Sequence, residues 1–371
     1  MIQKYIKSNF SILLCISMMV QTGFVIAQDY NISLKDSEWS LTPEKFHIIK
    51  VEDARKTKLN HGKAFHPETQ KLSNVVFHEG IENEYMKYIN ASMKQDSSTV
   101  PFILRVEKFQ FTDEGSPARH SLSLDVHLSI IRKAEGQEIL VYESKGKPNY
   151  VANGIPSGLP EKLAMDVLRR LLEGFNEFIN ENPDQHQFCK NVKAVFDNKN
   201  HFTNMNADTI RWSSEYKLKW DDFKGKADDT SPYSAQSNCM FTFRVTPQYQ
   251  DATLMLHLQI YPCFTKKSSW VKADKKEPGL LAHEQLHFDI CELYIRQLRK
   301  AVMNAKLSLF NSDKEIRDLF DKAWQDYQLA QQLYDMETQH GLIPHEQLRW
   351  EKDVSAQLDV LSEYATPAAI N

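Results

Sequence analysis

The sequence predicts an α+β protein with two domains. Residues 28–182 carry strand-like and helical patterns in the order β-α-β-β-β-α, whereas residues 207–371 carry short strands followed by three long helical segments. A polar stretch over 183–206, rich in Asn, Asp and Lys, separates the two regions. We therefore expect an accessory domain, a linker and a second domain with these boundaries.

The first 27 residues have the pattern of a secretion signal. Lys4 and Lys7 form a basic start, Phe10 to Val20 is an apolar run, and Ala27 is a small residue suited to cleavage. An uncleaved membrane anchor is the alternative, which the shortness of the apolar run disfavours. The pattern predicts an exported chain, periplasmic or secreted, with no transmembrane segment beyond the signal peptide.

The accessory domain is expected to place a helix pair on one face of a small antiparallel sheet. Its clearest strand is 121–131, where apolar residues alternate with polar ones. The other expected strands are 46–54, 100–111 and 138–143, and the expected helices are 72–93 and 159–179. Several histidines of this region lack the spacing of metal ligands, so we expect them at the surface or in packing: His61, His66, His78, His120 and His127.

The second domain is expected to combine short strands with long helices. The strand candidates are 216–220, 238–246 and 253–261, and the helix candidates are 279–307, 312–339 and 345–364. Residues 253–261 alternate apolar and polar side chains. Such a strand could bind an extended substrate along a free edge, or it could be an ordinary amphipathic strand.

The net charge and the cysteine count bear on which binding partners and which disulfide bonds are expected. A net charge of −4 gives no electrostatic case for binding nucleic acid or an anionic membrane. Export permits disulfides, and four cysteines follow the signal. Cys239 and Cys263 lie in neighbouring strand candidates and are the favoured pair, with four buried free thiols as the alternative.

The most informative motif is His283-Glu284-Gln285-Leu286-His287. On a helix, His283 and His287 lie one turn apart on the same face, so both imidazoles can bind one zinc ion. Glu284 lies beside them, where a carboxylate can accept the proton of a water that the metal has acidified. The alternative is two ordinary histidines on an amphipathic helix.

A catalytic zinc ion needs a third protein ligand. A second helix that returns antiparallel to the first would carry three candidates past the motif. We expect His340, because imidazole is the more frequent ligand and the helix end before Gly341 leaves this side chain accessible. Asp335 and Glu337 remain open as alternatives, as does a role for His340 as a helix C-cap residue.

The second domain resembles a bacterial family of predicted secreted zinc-dependent proteases, catalogued as a domain of unknown function. The resemblance covers about residues 209–355. It rests on the HEQ-x-HFD form of the motif, preceded by residues 280–282, and on the segments 218–225, 269–271, 334–335, 337–338 and 340–341. It implies a zincin-like metallopeptidase domain, with His283 and His287 as ligands and Glu284 as base, and it favours His340.

The combined expectation is a secreted zinc metallopeptidase that hydrolyses peptide bonds in a peptide or protein substrate, with cell-wall peptide as one variant. Glu284 would take a proton from the attacking water and pass it to the leaving amine. Tyr334 is a candidate for stabilising the developing oxyanion. The alternative is an envelope binding or assembly module with a structural or vestigial metal site.

Overall fold

A computed structural model describes residues 28–35, 38–196 and 208–366. The expected signal peptide lies outside the described residues. Two hydrophobic cores form, one from residues between Tyr30 and Phe188 and the other from residues between Cys189 and Leu361. Both regions combine helices with sheets, so the chain is α+β, as expected. No helix among the described residues is long and apolar enough to span a membrane.

The N-terminal half contains eight described strands and two helices. The strands are β1 (Tyr30–Ile32), β2 (Phe46–Asp53), β3 (Lys63–Phe65), β4 (Leu72–Phe77), β5 (Val100–Ser116), β6 (Arg119–Ala134), β7 (Gln137–Gly146) and β8 (Asn149–Asn153); the helices are α1 (Ile81–Ser92) and α2 (Leu159–Glu181). One sheet has the order β2-β5-β6-β7, with β8 also paired to β6. Because β2 and β5 run parallel, this sheet is mixed, whereas an antiparallel sheet was expected. A second sheet has the order β1-β4-β3.

The expected helix over 72–93 is wrong at its start. Leu72–Phe77 forms β4, in which Ser73, Val75 and Phe77 are buried in turn. That period of two belongs to a strand with one buried face. The helix begins only at Ile81, after Gly80 adopts a φ of 81°.

The C-terminal half contains six described strands and three long helices. The strands are β9 (Asn191–Phe196), β10 (Thr209–Arg211), β11 (Ala235–Gln236), β12 (Cys239–Gln250), β13 (Thr253–Thr265) and β14 (Trp270–Val271); the helices are α3 (Pro278–Asn304), α4 (Ser312–Thr338) and α5 (Pro344–Val360). The main sheet has the order β10-β13-β12, and β9 also pairs with β13. The expected strand over 216–220 does not form, since only Tyr216 makes an isolated bridge, to Ser213.

Strand β9 lies inside the stretch expected to be a linker. It runs parallel to β13, from the pair Asn191 and Thr253 to the pair Phe196 and Leu258. Its alternate apolar residues pack against the C-terminal core. The part of the expected linker from residue 197 to 206 lies outside the described residues.

Strand β13 is central in its sheet, so of the two alternatives for residues 253–261 the structure favours an ordinary amphipathic strand. Strand β12 pairs along one side of β13 from Thr253 to Phe264, and β9 and β10 pair along most of the other side. The alternating pattern of this strand therefore reflects one face buried against the helices. In the described part of the sheet, β12 is the outer strand on its side.

The four cysteines among the described residues are free thiols, so the expected bridge between Cys239 and Cys263 does not form. The register explains why. Cys239 is opposite Phe264, and Cys263 is opposite Met240. Directly opposed residues project from the same face of a sheet and successive residues from opposite faces, so the two thiols lie on different sides.

Helices α3 and α4 are antiparallel and bring the motif beside the end of α4. His287 contacts Gln331, and His283, one turn earlier, contacts Asp335, one turn later. The connection between α3 and α4 also contacts the N-terminal half of the chain. There the Glu135 carboxylate accepts a hydrogen bond from the backbone N–H of Leu309 at 2.6 Å.

Candidate metal centre

The motif histidines lie together on one face of α3, as expected. Their rings are 4.6 Å apart between centroids in an edge-on arrangement. The Nε2 atoms of His283 and His287 are 3.1 Å apart. His283 is 2% exposed, so the pair lies at the bottom of the site.

Helix α4 supplies a carboxylate to the same point. Asp335 Oδ1 lies 3.2 Å from His283 Nε2 and 3.1 Å from His287 Nε2. The ligand atoms of these three residues all lie within 4.8 Å of one another. Among the described residues, they are the group of histidine, cysteine and acidic side chains that could hold a metal ion. Asp335 was an open alternative in the sequence, and it occupies the third position here.

His340 lies beside this group. Its Nδ1 is 3.3 Å from Asp335 Oδ1, and its side chain is 46% exposed. Its ring packs against Tyr233 with centroids 4.6 Å apart. Direct ligation by His340 therefore stays a prediction. The structure shows that this half-exposed histidine contacts the carboxylate of Asp335.

The remaining candidate from the sequence, Glu337, forms its contacts with α5. The Glu337 carboxylate accepts a hydrogen bond from Trp350 Nε1 at 2.8 Å and pairs with Arg349 on α5. Glu337 thus pairs with α5 and is not part of the group formed by His283, His287 and Asp335. His345 is 81% exposed at the start of α5, where its nearest charged partner is Glu346.

Two glutamines contact the outer nitrogens of the histidine pair. Gln347 Oε1, on α5, lies 3.3 Å from His283 Nδ1. Gln331 Oε1, on α4, is hydrogen-bonded to His287 Nδ1, and the Gln331 amide group donates to the backbone carbonyl of His287 at 2.9 Å. The pair is therefore held from both neighbouring helices.

Tyr334 packs behind the site and does not face its opening. It is fully buried, and its ring stacks on His283 with centroids 4.6 Å apart. Its hydroxyl donates a hydrogen bond to Gln347 Oε1 at 2.7 Å. Burial raises the pKa of this phenol well above its usual range. The hydroxyl is committed to Gln347, so the expectation that Tyr334 stabilises an oxyanion is wrong.

The acidic residues set the charge of the site. Burial alone would raise the pKa of Asp335, but hydrogen bonds from His283 and His287 outweigh it and hold the pKa well below its usual range. Burial would likewise lower the pKa of His287. The hydrogen bond to Asp335 and the negative charge of Glu284 outweigh burial and raise that pKa. Glu284 is 3% exposed, so its charge acts within the protein interior.

A left-handed turn after α4 closes the site on one side. Gln339, His340 and Gly341 have φ angles of 48°, 56° and 80°. Such a run is costly for residues with side chains and persists where the surrounding structure imposes it. The turn is supported by the Ile343 backbone N–H, which donates to the Thr338 carbonyl at 2.9 Å. It places His340 at the opening.

Sequence reasoning missed Gln331, Gln347 and Tyr233. Gln331 lies four residues before Asp335, on the same face of α4, so helical spacing could have found it once Asp335 was chosen. Gln347 reaches the site only because α5 packs against α3 and α4. Tyr233 lies in an irregular loop, and no pattern in its neighbourhood marks it.

The C-terminal half of the chain is similar to a known bacterial family. Residues 213–341 match its model. The family is described as "Bacterial protein of unknown function (DUF922)". The matched stretch contains the motif, Asp335 and His340, and it agrees with the expected resemblance to a bacterial family of unknown function. No curated protein matches the chain.

Solved structures show only distant similarity. A Xanthomonas campestris protein assigned to the DUF330 family is 8% identical, with 43% of this chain and 100% of that chain covered and a TM-score of 0.29. A minor lipoprotein from Acinetobacter baumannii is 13% identical, with 34% and 91% covered and a TM-score of 0.19. Similarity at this level bears on neither the architecture nor the function.

Proposed function

We propose that this protein is an exported zinc-dependent metallopeptidase with a zincin-like C-terminal domain. The observation that carries the proposal is the convergence of His283 Nε2, His287 Nε2 and Asp335 Oδ1 on one point, with Glu284 next to His283 in the chain. The substrate would be a peptide or protein, with the peptide part of a cell wall as one variant. The N-terminal domain would recruit this substrate or a partner.

The donor set fits zinc. Zinc is bound by imidazole nitrogens and carboxylate oxygens, and catalytic sites commonly use three protein ligands and leave one position open. Here two nitrogens and one carboxylate oxygen meet at 3.1–3.2 Å from one another. These atoms are all electron donors, and a cation between them would replace their mutual repulsion with attraction. His283, His287 and Asp335 would therefore hold the ion.

The side chains around the metal would then have separate roles in the reaction. Zinc, when bound, would polarise the scissile carbonyl and acidify water. Glu284 would accept the proton of the attacking water and pass it to the leaving nitrogen, which is general base and then general acid catalysis. Asp335, with its depressed pKa, would stay ionised throughout. His340, half-exposed at the opening, would be placed to contact the substrate.

The position of His340 also favours a second candidate function. Its Nδ1 is 3.3 Å from Asp335 Oδ1, so a small movement would add a fourth ligand and close the site. Closed four-ligand zinc sites are structural. The protein would then be an envelope binding or assembly module. In that case His340→Ala would weaken zinc binding severely, whereas in the open site it would mainly reduce turnover.

A peptide-library digest tests the leading proposal. The wild-type chain and Glu284→Gln would be purified with zinc, and cleavage would be read by mass spectrometry. We expect cleavage by the wild type, none in the presence of a strong chelator, recovery on adding zinc, and none by Glu284→Gln at equal zinc content. Cleavage that persists in Glu284→Gln or in chelator would overturn it. Zinc binding without any cleavage would favour the structural alternative.

A further inference from the structure

Two neutral side chains, Gln331 and Gln347, bind the outer nitrogens of the histidine pair from different helices. Histidines that bind metals almost always donate their second N–H to an acceptor of this kind, which fixes the ring and its tautomer. We propose that Gln331 and Gln347 are positioning residues that hold both imidazoles as the Nδ1–H tautomer and thereby set the zinc affinity. This proposal rests on the metal site of the proposed function.

The orientation of the Gln331 amide follows from its partners. A backbone carbonyl can only accept hydrogen bonds, so the group 2.9 Å from the His287 carbonyl must be the amide nitrogen of Gln331. The amide oxygen then faces His287 Nδ1. Because that oxygen can only accept, His287 Nδ1 carries a hydrogen, and Nε2, once deprotonated, is the nitrogen that can bind a metal.

The orientation of the Gln347 amide follows in the same way. Its nitrogen lies 2.9 Å from the Glu351 carboxylate, which accepts. Its oxygen receives the Tyr334 hydroxyl at 2.7 Å and faces His283 Nδ1 at 3.3 Å. A flipped amide would set its oxygen against the carboxylate. Glu351 therefore fixes Gln347, and Gln347 fixes His283 as the Nδ1–H tautomer.

The result is a site preorganised for a cation. Both Nε2 atoms face Asp335 Oδ1, at 3.1–3.2 Å. The rings have little freedom to turn, because Tyr334 packs on both and Gly341 lies against His283. Without the amides, each imidazole could place its hydrogen on Nε2, and zinc binding would then have to reverse that tautomer.

Zinc affinity measured by competition with a chromophoric chelator tests the proposal. Methionine is close to glutamine in size and keeps helix propensity but offers no amide. We expect Gln331→Met and Gln347→Met each to weaken zinc binding by about 10–100-fold, the range typical of outer partners of metal ligands. The matched controls are Gln332→Met on α4 and Gln357→Met on α5. Both side chains are exposed, and we expect wild-type affinity from them.

A second readout separates positioning from a general loss of structure. In the zinc-loaded wild type, both Nδ1–H protons are hydrogen-bonded, so we expect nitrogen-correlated NMR signals that exchange slowly with water. Gln347→Met should speed exchange at His283 and leave His287 slow, and Gln331→Met should do the reverse. The double change Gln347→Glu with Glu351→Gln restores an acceptor opposite His283, and we expect it to recover most of the affinity that Gln347→Met loses.

The outcomes are distinct for the two proposals. Methionine variants that bind zinc as tightly as the wild type, or exchange rates that do not depend on which glutamine is changed, would overturn the positioning role while leaving the metal site intact. A wild-type chain that binds no zinc in the same titration would instead remove the metal site, and the positioning role with it.

Discussion

The backbone of Gly341 lies directly against the imidazole of His283. A Cβ atom added at Gly341 would be 3.1 Å from His283 Cβ and 3.2 Å from its Cγ, and the φ angle of Gly341 is 80°. The turn after α4 thus packs on His283 of α3. Glycine is required twice over, for the backbone conformation and for the close approach.

Gly341→Ala should therefore damage the metal site. We expect a loss of about 1–3 kcal/mol in stability from the backbone conformation alone, and a further weakening of zinc binding because His283 must shift. Gly136→Ala is the matched control, since its φ is 75° but nothing lies within 4 Å of an added Cβ. Calorimetry and zinc titration would measure both effects. Equal zinc affinity in the two variants would contradict the contact with His283.

Protons and zinc should compete for His287. The pKa of this histidine in the metal-free protein is raised, through the hydrogen bond to Asp335 and the charge of Glu284 acting against burial. Zinc needs the neutral ring, so its affinity should fall as the pH drops below that raised value. We expect the acid limb of activity to move to lower pH when zinc is added in excess. If the acid limb does not move with the zinc concentration, the titration of another group controls it.

Buried His61 should make the N-terminal domain sensitive to acid. Burial and then the charge of Arg55 lower its pKa to about 4. As the pH falls below about 6.5, the unfolded chain therefore binds the proton first, and stability declines until about pH 4, by about 3 kcal/mol in total. The decline is absent above pH 7, where both states are neutral.

Urea unfolding at pH 7 and pH 4.5 would measure this decline. His61→Gln keeps an acceptor for Arg55 but does not titrate, so we expect a smaller difference between the two pH values. The control is His78→Gln at an exposed position of the same domain. If His61→Gln and the wild type lose the same stability, His61 is not the group responsible.

All four cysteines after the signal should be free in the folded protein. Cys239 and Cys263 project from opposite faces of the sheet, because each is opposite the neighbour of the other. Alkylation of the unreduced, denatured chain followed by mass spectrometry should label Cys189, Cys239, Cys263 and Cys291. A peptide in which Cys239 and Cys263 are linked would contradict the register of β12 and β13.

Local patterns in the sequence were enough to predict the motif helix and its face. Helical spacing alone places His283 and His287 one turn apart, and the two rings do meet. The antiparallel return of α4 was also predictable, because a short connection leaves few alternatives. Helix α2 and strand β6 were recognised from their periodicity in the same way.

Features that depend on distant contacts could not be predicted. Asp335 lies beside the two histidines because α4 packs on α3, and the left-handed turn after α4 sets the position of His340. No periodicity reveals either contact. The register that separates Cys239 from Cys263 is set by the whole β12–β13 pair. Strand β9 lies in a stretch that is polar as a whole, and it forms by pairing with β13, which the local pattern does not reveal. Gln347 reaches His283 only through the packing of α5.

The zinc content of the purified mature chain tests the central claim most directly. Chains loaded with zinc would be dialysed and analysed for metal, with His340→Ala and Asp335→Ala treated in parallel. We expect about one zinc per chain in the wild type, as for a single three-ligand site, retention in His340→Ala, and loss in Asp335→Ala. A wild-type chain that holds no zinc, or Asp335→Ala that holds it as firmly as the wild type, would contradict the account.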